Sequence, residues 1–331
     1  MFVYNVPVVV LTPFKNTIMR PLCFLLAVSF CVPVLSLSHL MAGEPIRILC
    51  INVRFSTAND GENSWVHRKE FMTEIMIEGN YDFIGTQETL LHPNPDLNQM
   101  TYMASRLPGH GVYGISREVN PAAGEGMIMY YKKDRWEMDT EQRGTFWLSD
   151  TPDVPGSITW EAQSRNPRTV TWGLFHEIDR DGNRTGRAVY VYNTHFDHVS
   201  DPARRKSAQM IMQRIAARPH QDVPVIVIGD INAGEGSVPV RYMLGETVTI
   251  DGVEVTTPYK LVDTFRAVHP NATNVQTFNG FRPVDTVWSG QKIDYIFVSP
   301  SFRTISSEII RTHRNGRFPT DHFPVNAVIA W

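Results

Sequence analysis

The sequence contains little cysteine. Three cysteines occur in 331 residues, and two of them, Cys23 and Cys31, lie in an apolar N-terminal stretch. If that stretch is cleaved on export, only Cys50 remains and no intrachain disulfide can form. Cys50 stands in an apolar run, where a cysteine is usually a small core residue rather than a nucleophile.

Motifs of several common enzyme classes are also absent. No Gly-x-Ser-x-Gly nucleophile elbow occurs, which argues against a serine hydrolase. Neither a Walker loop nor a Gly-x-Gly-x-x-Gly dinucleotide fingerprint is present.

Basic charge is not in excess either. Residues 1–42 hold two of the 31 basic residues and none of the 34 acidic ones, so the remainder has a formal charge of −5. This balance argues against a general nucleic-acid coat protein, because such proteins bind by neutralising phosphates. A nuclease with a local basic groove stays open.

Residues 1–42 are typical of a leader. Met19-Arg20-Pro21 precedes a largely apolar stretch from Leu22 to Leu37, and small residues follow it. A short run with one early positive charge favours a secretory signal that starts at Met19 over a transmembrane segment. An uncleaved N-terminal anchor is the alternative. We therefore predict export to the periplasm or the medium, with residues 43–331 forming a single domain.

Strand-like and helix-like runs alternate along residues 43–331, which predicts an α/β domain with mixed sheets. Polar groups directly follow four of the predicted strands: Asn52, Glu88, His195 and the pair Asp230 and Asn232. Ligand sites in α/β sheets gather at the carboxyl ends of strands, so we expect these groups to meet at one edge of the fold.

Asp230 and Asn232 follow the apolar strand Val223–Gly229. In extended backbone, residues two apart point the same way, so this carboxylate and amide would hold and orient a water together. Glu88 follows the strand Tyr81–Thr86 and is a natural ligand for a hard divalent cation. The simpler interpretation is that all three are turn or surface residues, because Asp and Asn favour turns and Glu is usually exposed.

Asp321 and His322 are adjacent just before the predicted strand Val325–Ile329, where they would meet a metal ion and a phosphate together. Asp294 supplies a second acid that is able to orient the imidazole. Alternatively, Asp294 pairs with Lys292 or with an arginine.

The order of these motifs is more specific than any one of them. The motifs are Asn52 in Cys-Ile-Asn-Val-Arg, Gln87-Glu88, Asn193-Thr-His195, Gly229-Asp-Ile-Asn232, Ile293-Asp-Tyr-Ile-Phe297 and Asp321-His322. In this order they resemble the endonuclease/exonuclease/phosphatase superfamily over residues 46–331. The chain looks most similar to a secreted or periplasmic bacterial subgroup and, more loosely, to deadenylase-like exonucleases. Asn279 departs from the subgroup, in which a histidine is expected there.

The resemblance implies a four-layered α/β sandwich, in which two mixed β-sheets pack face to face with helices outside. It also implies a catalytic set that aligns water and stabilises the phosphate, namely Asp230, Asn232, His322, His195 and Asp294. A metal set would hold Mg²⁺ or Mn²⁺ and comprises Glu88, Asn52 and Asp321. Within the catalytic set, Asp230 would activate or align the water, and Asp294 would orient His322.

Zinc is a weaker interpretation. His195 and His198 are three residues apart, as in some zinc sites, but no cysteine or Glu-rich partner set surrounds them.

Arginine and aromatic residues are candidates for contact with the substrate, because guanidinium groups grip phosphate and rings stack on bases or sugars. The candidates are Arg54, Arg168, Phe281 and Trp288, with Arg165, Trp147, Trp160 and Phe278 as further members. Each is equally explained as a core aromatic or a solvated arginine, and Trp172, inside a strand, favours the core.

These features favour a metal-dependent phosphoesterase, in the first place a phosphodiesterase or nuclease acting on nucleic acid or nucleotides. A second hypothesis is a phosphatase or phospholipase-like enzyme acting on sugar, inositol or lipid phosphates, which the acidic charge and the predicted export support. A third is a non-catalytic binding module, which the intact set of acid, amide and histidine groups argues against. The sequence indicates no stable protein partner.

Overall fold

Two large β-sheets flanked by helices make up residues 43–331, which the computed structural model describes. The strands are β1 (Ile46–Asn52), β2 (Phe83–Leu91), β3 (His110–Tyr113), β4 (Gly124–Lys132), β5 (Trp136–Trp147), β6 (Thr169–Ile178), β7 (Arg184–His195), β8 (Val225–Asp230), β9 (Val248–Ile250), β10 (Val253–Val255), β11 (Val262–Asp263), β12 (Asp294–Val298), β13 (Arg303–Ile309) and β14 (Val325–Ala330). The helices are α1 (Trp65–Glu78), α2 (Gln99–Arg106), α3 (Asp201–Ala216), α4 (Val238–Met243) and α5 (Thr264–Val268), with a 3₁₀ turn at Gly61–Asn63. The predicted leader lies outside the described residues, so its role in export stays a prediction.

Both large sheets are mixed. The strand order is β13-β14-β1-β2-β4-β3 in the first sheet and β11-β12-β8-β7-β6-β5 in the second, while β9 and β10 form a separate hairpin. Strands β1 and β2 are parallel, as are β7 and β8, and the other neighbours are antiparallel. Within residues 43–331, no helix is long and apolar enough to cross a membrane.

The alternation of side chains along the strands produces four layers. On β8, Ile226 and Ile228 face the first sheet, whereas Val225 and Val227 pack beneath α3 and α4. On β1, Ile48 and other alternate residues join the core between the sheets, while the intervening residues pack against α1 and α2. The predicted four-layered sandwich is therefore confirmed.

The same alternation places polar residues at one open edge of the core between the sheets. The inward-facing series on β7 is Val189, Val191, Asn193 and His195, so it changes from apolar to polar as the strand reaches this edge. On β1 and β8 the inward series end in Asn52 and Asp230, and on the antiparallel β12 the series begins with Asp294. His195, Asp230 and Asp294 occupy matching positions on three neighbouring strands.

A buried amide joins the two sheets just below this edge. Asn193 of β7 donates from Nδ2 to the carbonyl oxygens of Thr86 at 2.9 Å and Ile128 at 3.0 Å, and its Oδ1 accepts from Gln87 Nε2 at 2.7 Å. The close approach requires Gly85, because a Cβ there would lie 2.7 Å from Ile228 Cγ2 and 3.0 Å from Asn193 Oδ1. The positions of the edge residues are thus fixed by the sheet framework.

Candidate active site

A cavity of about 490 Å³ opens at the polar edge of the sandwich. Among its lining residues are most of the predicted site residues, namely Arg54, Glu88, Arg168, His195, Asp230, Asn232, Phe281, Asp321 and His322. Asn52 and Asp294 are fully buried and lie directly behind this wall, in hydrogen-bond contact with lining residues. The expectation that groups far apart in sequence meet at one edge is therefore met by the fold.

Asp230 lies at the centre of the polar cluster. Its Oδ2 accepts a hydrogen bond from Asn52 Nδ2 at 3.1 Å and lies 3.4 Å from His195 Nε2 and 3.8 Å from His322 Nε2. Burial, and then the nearby carboxylate of Asp294, raises the pKa of Asp230 to about 7. A carboxylate with that pKa is able to take a proton from water near neutral pH.

The side chain of Asn52 presents its nitrogen to the site, not its oxygen. Asn52 Nδ2 donates to Glu88 Oε1 and to Asp230 Oδ2, both at 3.1 Å. Asn52 Oδ1 accepts from the backbone N–H of Arg54 at 3.0 Å, and this contact fixes the orientation of the amide. Asn52 is thus placed to position two carboxylates, and its assignment to the metal set stays a prediction.

His322 and Asp294 form a buried pair. His322 Nδ1 lies 2.9 Å from Asp294 Oδ2, so Lys292 is not the partner of this acid and instead contacts Asp263 at 2.8 Å. Burial alone would lower the pKa of His322, but the carboxylates of Asp294 and Asp230 outweigh it and hold that pKa well above its usual range. His322 is consequently a cation whose Nε2 is directed towards Asp230.

His195 differs from His322 in its electrostatic surroundings. Burial, and then the positive charges of Arg168 and Arg117, lowers the pKa of His195 well below its usual range. His195 is therefore neutral at physiological pH, and its Nδ1 atom has no hydrogen-bond partner within the described residues. His322 and His195 thus offer one charged and one neutral imidazole beside Asp230.

Glu88 is directed into the cavity by an irregularity in β2. The register between β2 and β4 shifts between Thr86 and Thr89, and Glu88 has a left-handed backbone with φ of 57°. A bulge of this kind turns a side chain out of the regular alternation. The sequence predicted that Glu88 follows its strand, whereas the strand continues past it to Leu91.

Glu88 and Asp321 provide a donor set that fits a hard divalent cation. Glu88 Oε2 is buried without a hydrogen-bond partner, and both carboxylates line the cavity. Burial raises the pKa of Asp321, and the negative charge of Glu88 raises it further against the opposing effect of His322. A bound Mg²⁺ or Mn²⁺ ion would reduce the repulsion between these two carboxylates and give the unpaired oxygen a partner. A second group, Asp230, Asp294 and His322, also offers ligand atoms within 4.8 Å of one another.

Asn232 does not continue the strand, contrary to the extended backbone expected from the sequence. Asp230 ends β8, its Oδ1 accepts the backbone N–H of Asn232 at 2.9 Å, and Asn232 has φ of 50°. Asn232 Nδ2 donates to the carbonyl oxygen of Phe196 at 3.1 Å, which leaves its side-chain oxygen for the cavity. The two side chains still share the cavity, but a turn rather than the strand pleat brings them together.

The predicted substrate residues divide into two groups. Arg54, Arg168 and Phe281 line the cavity, and Arg54 also contacts Asp60 through two hydrogen bonds of 3.0 Å. Trp288 is not among the lining residues, and its ring packs against Phe318 and Phe323.

The remaining aromatic candidates differ in exposure. Phe278 lines the cavity, is 44% exposed and meets the His322 ring edge-on, with the ring centroids 5.1 Å apart. Trp147 and Trp160 are buried, and Trp172 stacks on Tyr192 outside the cavity.

Sequence reasoning missed Arg117 and Glu125 as cavity residues, and it considered His198 only as a possible zinc ligand. Arg117 lies in the irregular segment between β3 and β4, and its Nη2 contacts Glu125 Oε1 at 2.7 Å. His198 Nδ1 accepts a hydrogen bond from Arg168 Nη2 at 2.7 Å. No strand-end pattern marks Arg117; its only signal was an arginine a few residues before an apolar strand.

Solved structures of similar fold come from several organisms. An endonuclease/exonuclease/phosphatase family protein from Bacteroides thetaiotaomicron is 27% identical, with 87% of this chain and 99% of that chain covered and a TM-score of 0.70. A mannosyl-6-phosphatase from Bacteroides thetaiotaomicron VPI-5482 is also 27% identical, with 86% and 100% covered and a TM-score of 0.69. The human Nocturnin catalytic domain, solved with a sulfate anion, is 14% identical, with 86% and 94% covered and a TM-score of 0.63, and shows the fold alone.

The sequence comparison agrees with the structural one. None of the curated proteins is significantly similar in sequence. Residues 49–322 match the Endonuclease/Exonuclease/phosphatase family, and this range spans every strand-end cluster of the cavity. The chain therefore belongs to the Endonuclease/Exonuclease/phosphatase family.

Proposed function

We propose that this protein is a divalent-metal-dependent hydrolase of phosphate monoesters on small molecules. The observation that carries the proposal is the position of Asp230, whose Oδ2 contacts the buried Asn52 amide and lies within 4 Å of His322 and His195, one cationic and one neutral. A base, a cation and a neutral imidazole around one point are what water attack on phosphorus requires.

In the proposed reaction, Asp230 takes a proton from a water whose other hydrogen bonds to Asn232. The water oxygen forms a bond to phosphorus as the bond from phosphorus to the ester oxygen breaks. His322 donates to a phosphoryl oxygen and shares its negative charge, while Asp294 holds the imidazole in place. The leaving oxygen takes a proton from solvent, and Asp230 later returns its own proton to solvent. His195 contacts the phosphate or the leaving oxygen from the other side of Asp230.

Glu88 and Asp321 would hold the metal ion, with Asn52 orienting Glu88. When bound, Mg²⁺ or Mn²⁺ would supply positive charge to the phosphoryl oxygens. Without it, two carboxylates would face a dianionic substrate, and their repulsion would oppose binding.

The choice between monoester and diester is the finer part of the proposal. The sequence favoured a phosphodiesterase or nuclease. The mannosyl-6-phosphatase at 27% identity supports a phosphatase, whereas the Nocturnin and TDP2 structures at 14% to 16% identity support the fold alone. Two of the cavity arginines, Arg54 and Arg117, are paired with the carboxylates of Asp60 and Glu125, so the lining is not the continuous basic groove that a polyanion would need.

The proposal is tested by phosphate release from a panel of sugar and nucleoside monophosphates with Mg²⁺ or Mn²⁺, run beside single- and double-stranded DNA, RNA and bis-p-nitrophenyl phosphate. We expect metal-dependent turnover of monoesters that EDTA abolishes. Turnover of diesters alone would replace the phosphatase with the phosphodiesterase. If Asp230→Ala leaves the activity unchanged, the assignment of the site is wrong.

A further inference from the structure

Arg117 and Arg168 line the cavity although each is only 2% exposed. Arg117 Nη2 contacts Glu125 and its Nε lies 3.7 Å from Glu118, but neither Nε nor Nη1 has a hydrogen-bond partner. Arg168 Nη2 donates to His198, and its Nε and Nη1 likewise lack a partner. Buried guanidinium groups are normally paired, so four unsatisfied nitrogen atoms in one wall call for an acceptor that the described residues do not supply.

The nearest carboxylate to Arg168 is already engaged elsewhere. Asp197 Oδ2 lies 3.9 Å from Arg168 Nε. The carboxylate of Asp197 accepts hydrogen bonds from Ser164 N at 2.9 Å and Ser164 Oγ at 2.5 Å, and from the backbone N–H groups of Val199 and Ser200 at 2.8 and 2.7 Å. With its lone pairs used in this way, Asp197 does not satisfy the guanidinium.

Two hydrogen bonds from one segment hold both arginines in place. Trp147 Nε1 donates to the carbonyl oxygen of Arg117 at 2.6 Å, and the backbone N–H of Leu148 donates to the carbonyl oxygen of Arg168 at 2.7 Å. The pair is thus anchored before any ligand arrives, which lowers the entropy that binding must overcome.

The strand order places this pair beside the reaction centre but apart from it. Arg117 precedes β4, which is the neighbour of the strand that carries Glu88. Arg168 precedes β6, and β7 with His195 separates it from Asp230 on β8. Strands lie about 4.8 Å apart, so the pair sits one or two strand spacings, roughly 5–10 Å, from the strands that carry Glu88 and Asp230. Two phosphate groups on one sugar are separated by a similar distance.

We propose that Arg117 and Arg168 form a second anion subsite, which binds a phosphate group of the substrate other than the one that is hydrolysed. This inference rests on the proposed function and adds the substrate class, a small molecule that carries two phosphates. In the strand order, His195 at the end of β7 lies between Arg168, before β6, and Asp230 on β8, so separate groups would bind the two phosphates.

The first test compares matched substrates. Glucose 6-phosphate is set against glucose 1,6-bisphosphate, and adenosine 3′-monophosphate against adenosine 3′,5′-bisphosphate, with kcat/KM measured for the release of one phosphate. We expect the bisphosphate to be preferred by at least about tenfold, since charge-assisted hydrogen bonds to a phosphate are strong. In Arg117→Gln and Arg168→Gln the ratio falls towards one. Arg184→Gln, an exposed arginine paired with Glu137, is the matched control and keeps the ratio.

The second test uses the protein without metal and does not depend on catalysis. Inorganic phosphate is titrated in EDTA and binding is followed by calorimetry and by the shift in Tm. We expect binding in the wild type and in Glu88→Gln, and its loss in Arg168→Gln. Arg168→Lys, which keeps the charge but not the planar fork, should retain part of it, and this covers the case in which the glutamine variant does not fold.

The outcomes separate the two proposals. Hydrolysis of monoesters without any preference for bisphosphates, together with no phosphate binding in EDTA, would overturn the second subsite and leave the proposed function intact. Phosphate binding through the arginines in a protein that hydrolyses no ester would overturn the proposed function instead. A preference for a 5′-phosphorylated dinucleotide over both bisphosphates would show that the second phosphate belongs to a nucleic-acid strand, and the small-molecule class would then be wrong.

Discussion

The Nδ1 atom of His322 lies 2.9 Å from Asp294 Oδ2, while its Nε2 atom lies 3.8 Å from Asp230 Oδ2. One imidazole thus bridges an acid that holds it and an acid that borders the cavity. Because both acids are buried, they favour the charged form of the ring, and the charged ring in turn partly offsets the repulsion between them.

We expect Asp294→Asn to lower kcat by on the order of 10- to 100-fold with little change in KM, since the ring loses its orientation and its charge. His322 acts in its protonated form, and removal of Asp294 lowers its pKa. The loss of activity on the alkaline side should therefore begin at a lower pH than in the wild type. The pH profile of kcat measures this, with the exposed Asp285→Asn as control. An unchanged alkaline limb would contradict the role of Asp294.

The buried carboxylate of Asp230 should lower the stability of the folded protein at neutral pH. Its pKa in the folded state is about 7 against 3.8 for the free side chain, so the folded state holds a proton more tightly than the unfolded state does. Stability therefore falls as the pH rises from about 4 to about 7. We expect Asp230→Asn to abolish the activity measured with metal and, in EDTA, to raise the free energy of unfolding at pH 8 by on the order of 1 kcal/mol or more.

The gain from Asp230→Asn should shrink as the pH is lowered towards 4, where the wild-type carboxyl is protonated in both states. Thermal unfolding across this range measures it. Asp181→Asn, at an exposed turn, is the control. A variant that is less stable than the wild type at every pH would show that the hydrogen bonds of Asp230 outweigh its burial.

Strand periodicity located most of the site, because the inward-facing residues of each strand change from apolar to polar where the strand reaches the cavity. The inward series on β7 and β8 could be followed residue by residue to His195 and Asp230. The bulge at Glu88 could not be predicted, because it depends on pairing with β4.

Pairing between segments distant in the sequence also determines which residues line the cavity, and the sequence alone could not assign these. Arg117 reaches the cavity because the segment before β4 pairs back on that strand through Ser116 and Gly126. Trp147 was a candidate for contact with the substrate, but its indole N–H donates to the backbone carbonyl oxygen of Arg117 instead. The sequence does not distinguish an aromatic residue that supports a site from one that lines it. The difference depends on what the facing sheet places against the ring.

Glu88 should dominate metal binding. Its Oε2 atom is buried without a partner, and Asn52 holds the other oxygen at 3.1 Å. We expect Glu88→Gln to weaken the binding of Mn²⁺ by on the order of tenfold or more while the fold is kept, because glutamine removes the charge but little volume. Calorimetric titration with Mn²⁺ measures this, and Glu254→Gln, exposed on β10, is the control. Equal affinities would move the metal to the cluster of Asp230, Asp294 and His322.

Asn279 should act on substrate binding more than on chemistry. Its Nδ2 donates to the carbonyl oxygen of Thr320 at 3.0 Å, and its Oδ1 accepts the N–H of Phe281 at 2.8 Å. One buried amide thus joins Phe281 at the cavity to the segment before β14 that carries Asp321. Phe281 has φ of 54°, a strained conformation that persists only where its surroundings impose it. Alanine at position 279 removes both hydrogen bonds and leaves a buried carbonyl oxygen and an N–H without partners.

We expect Asn279→Ala to raise KM by several-fold to about tenfold, with a smaller change in kcat, and to lower the free energy of unfolding by about 1–3 kcal/mol. The exposed Asn271→Ala is the control. Asn279→His tests the residue expected in the bacterial subgroup: an imidazole offers one donor and one acceptor on a larger ring, in a position that is 0% exposed. Asn279→His should bring KM part of the way back to the wild-type value only if Phe281 and its neighbours shift to make room for the larger ring. A fall in kcat with KM unchanged would instead place Asn279 with the groups that hold Asp321 and His322 for the reaction itself.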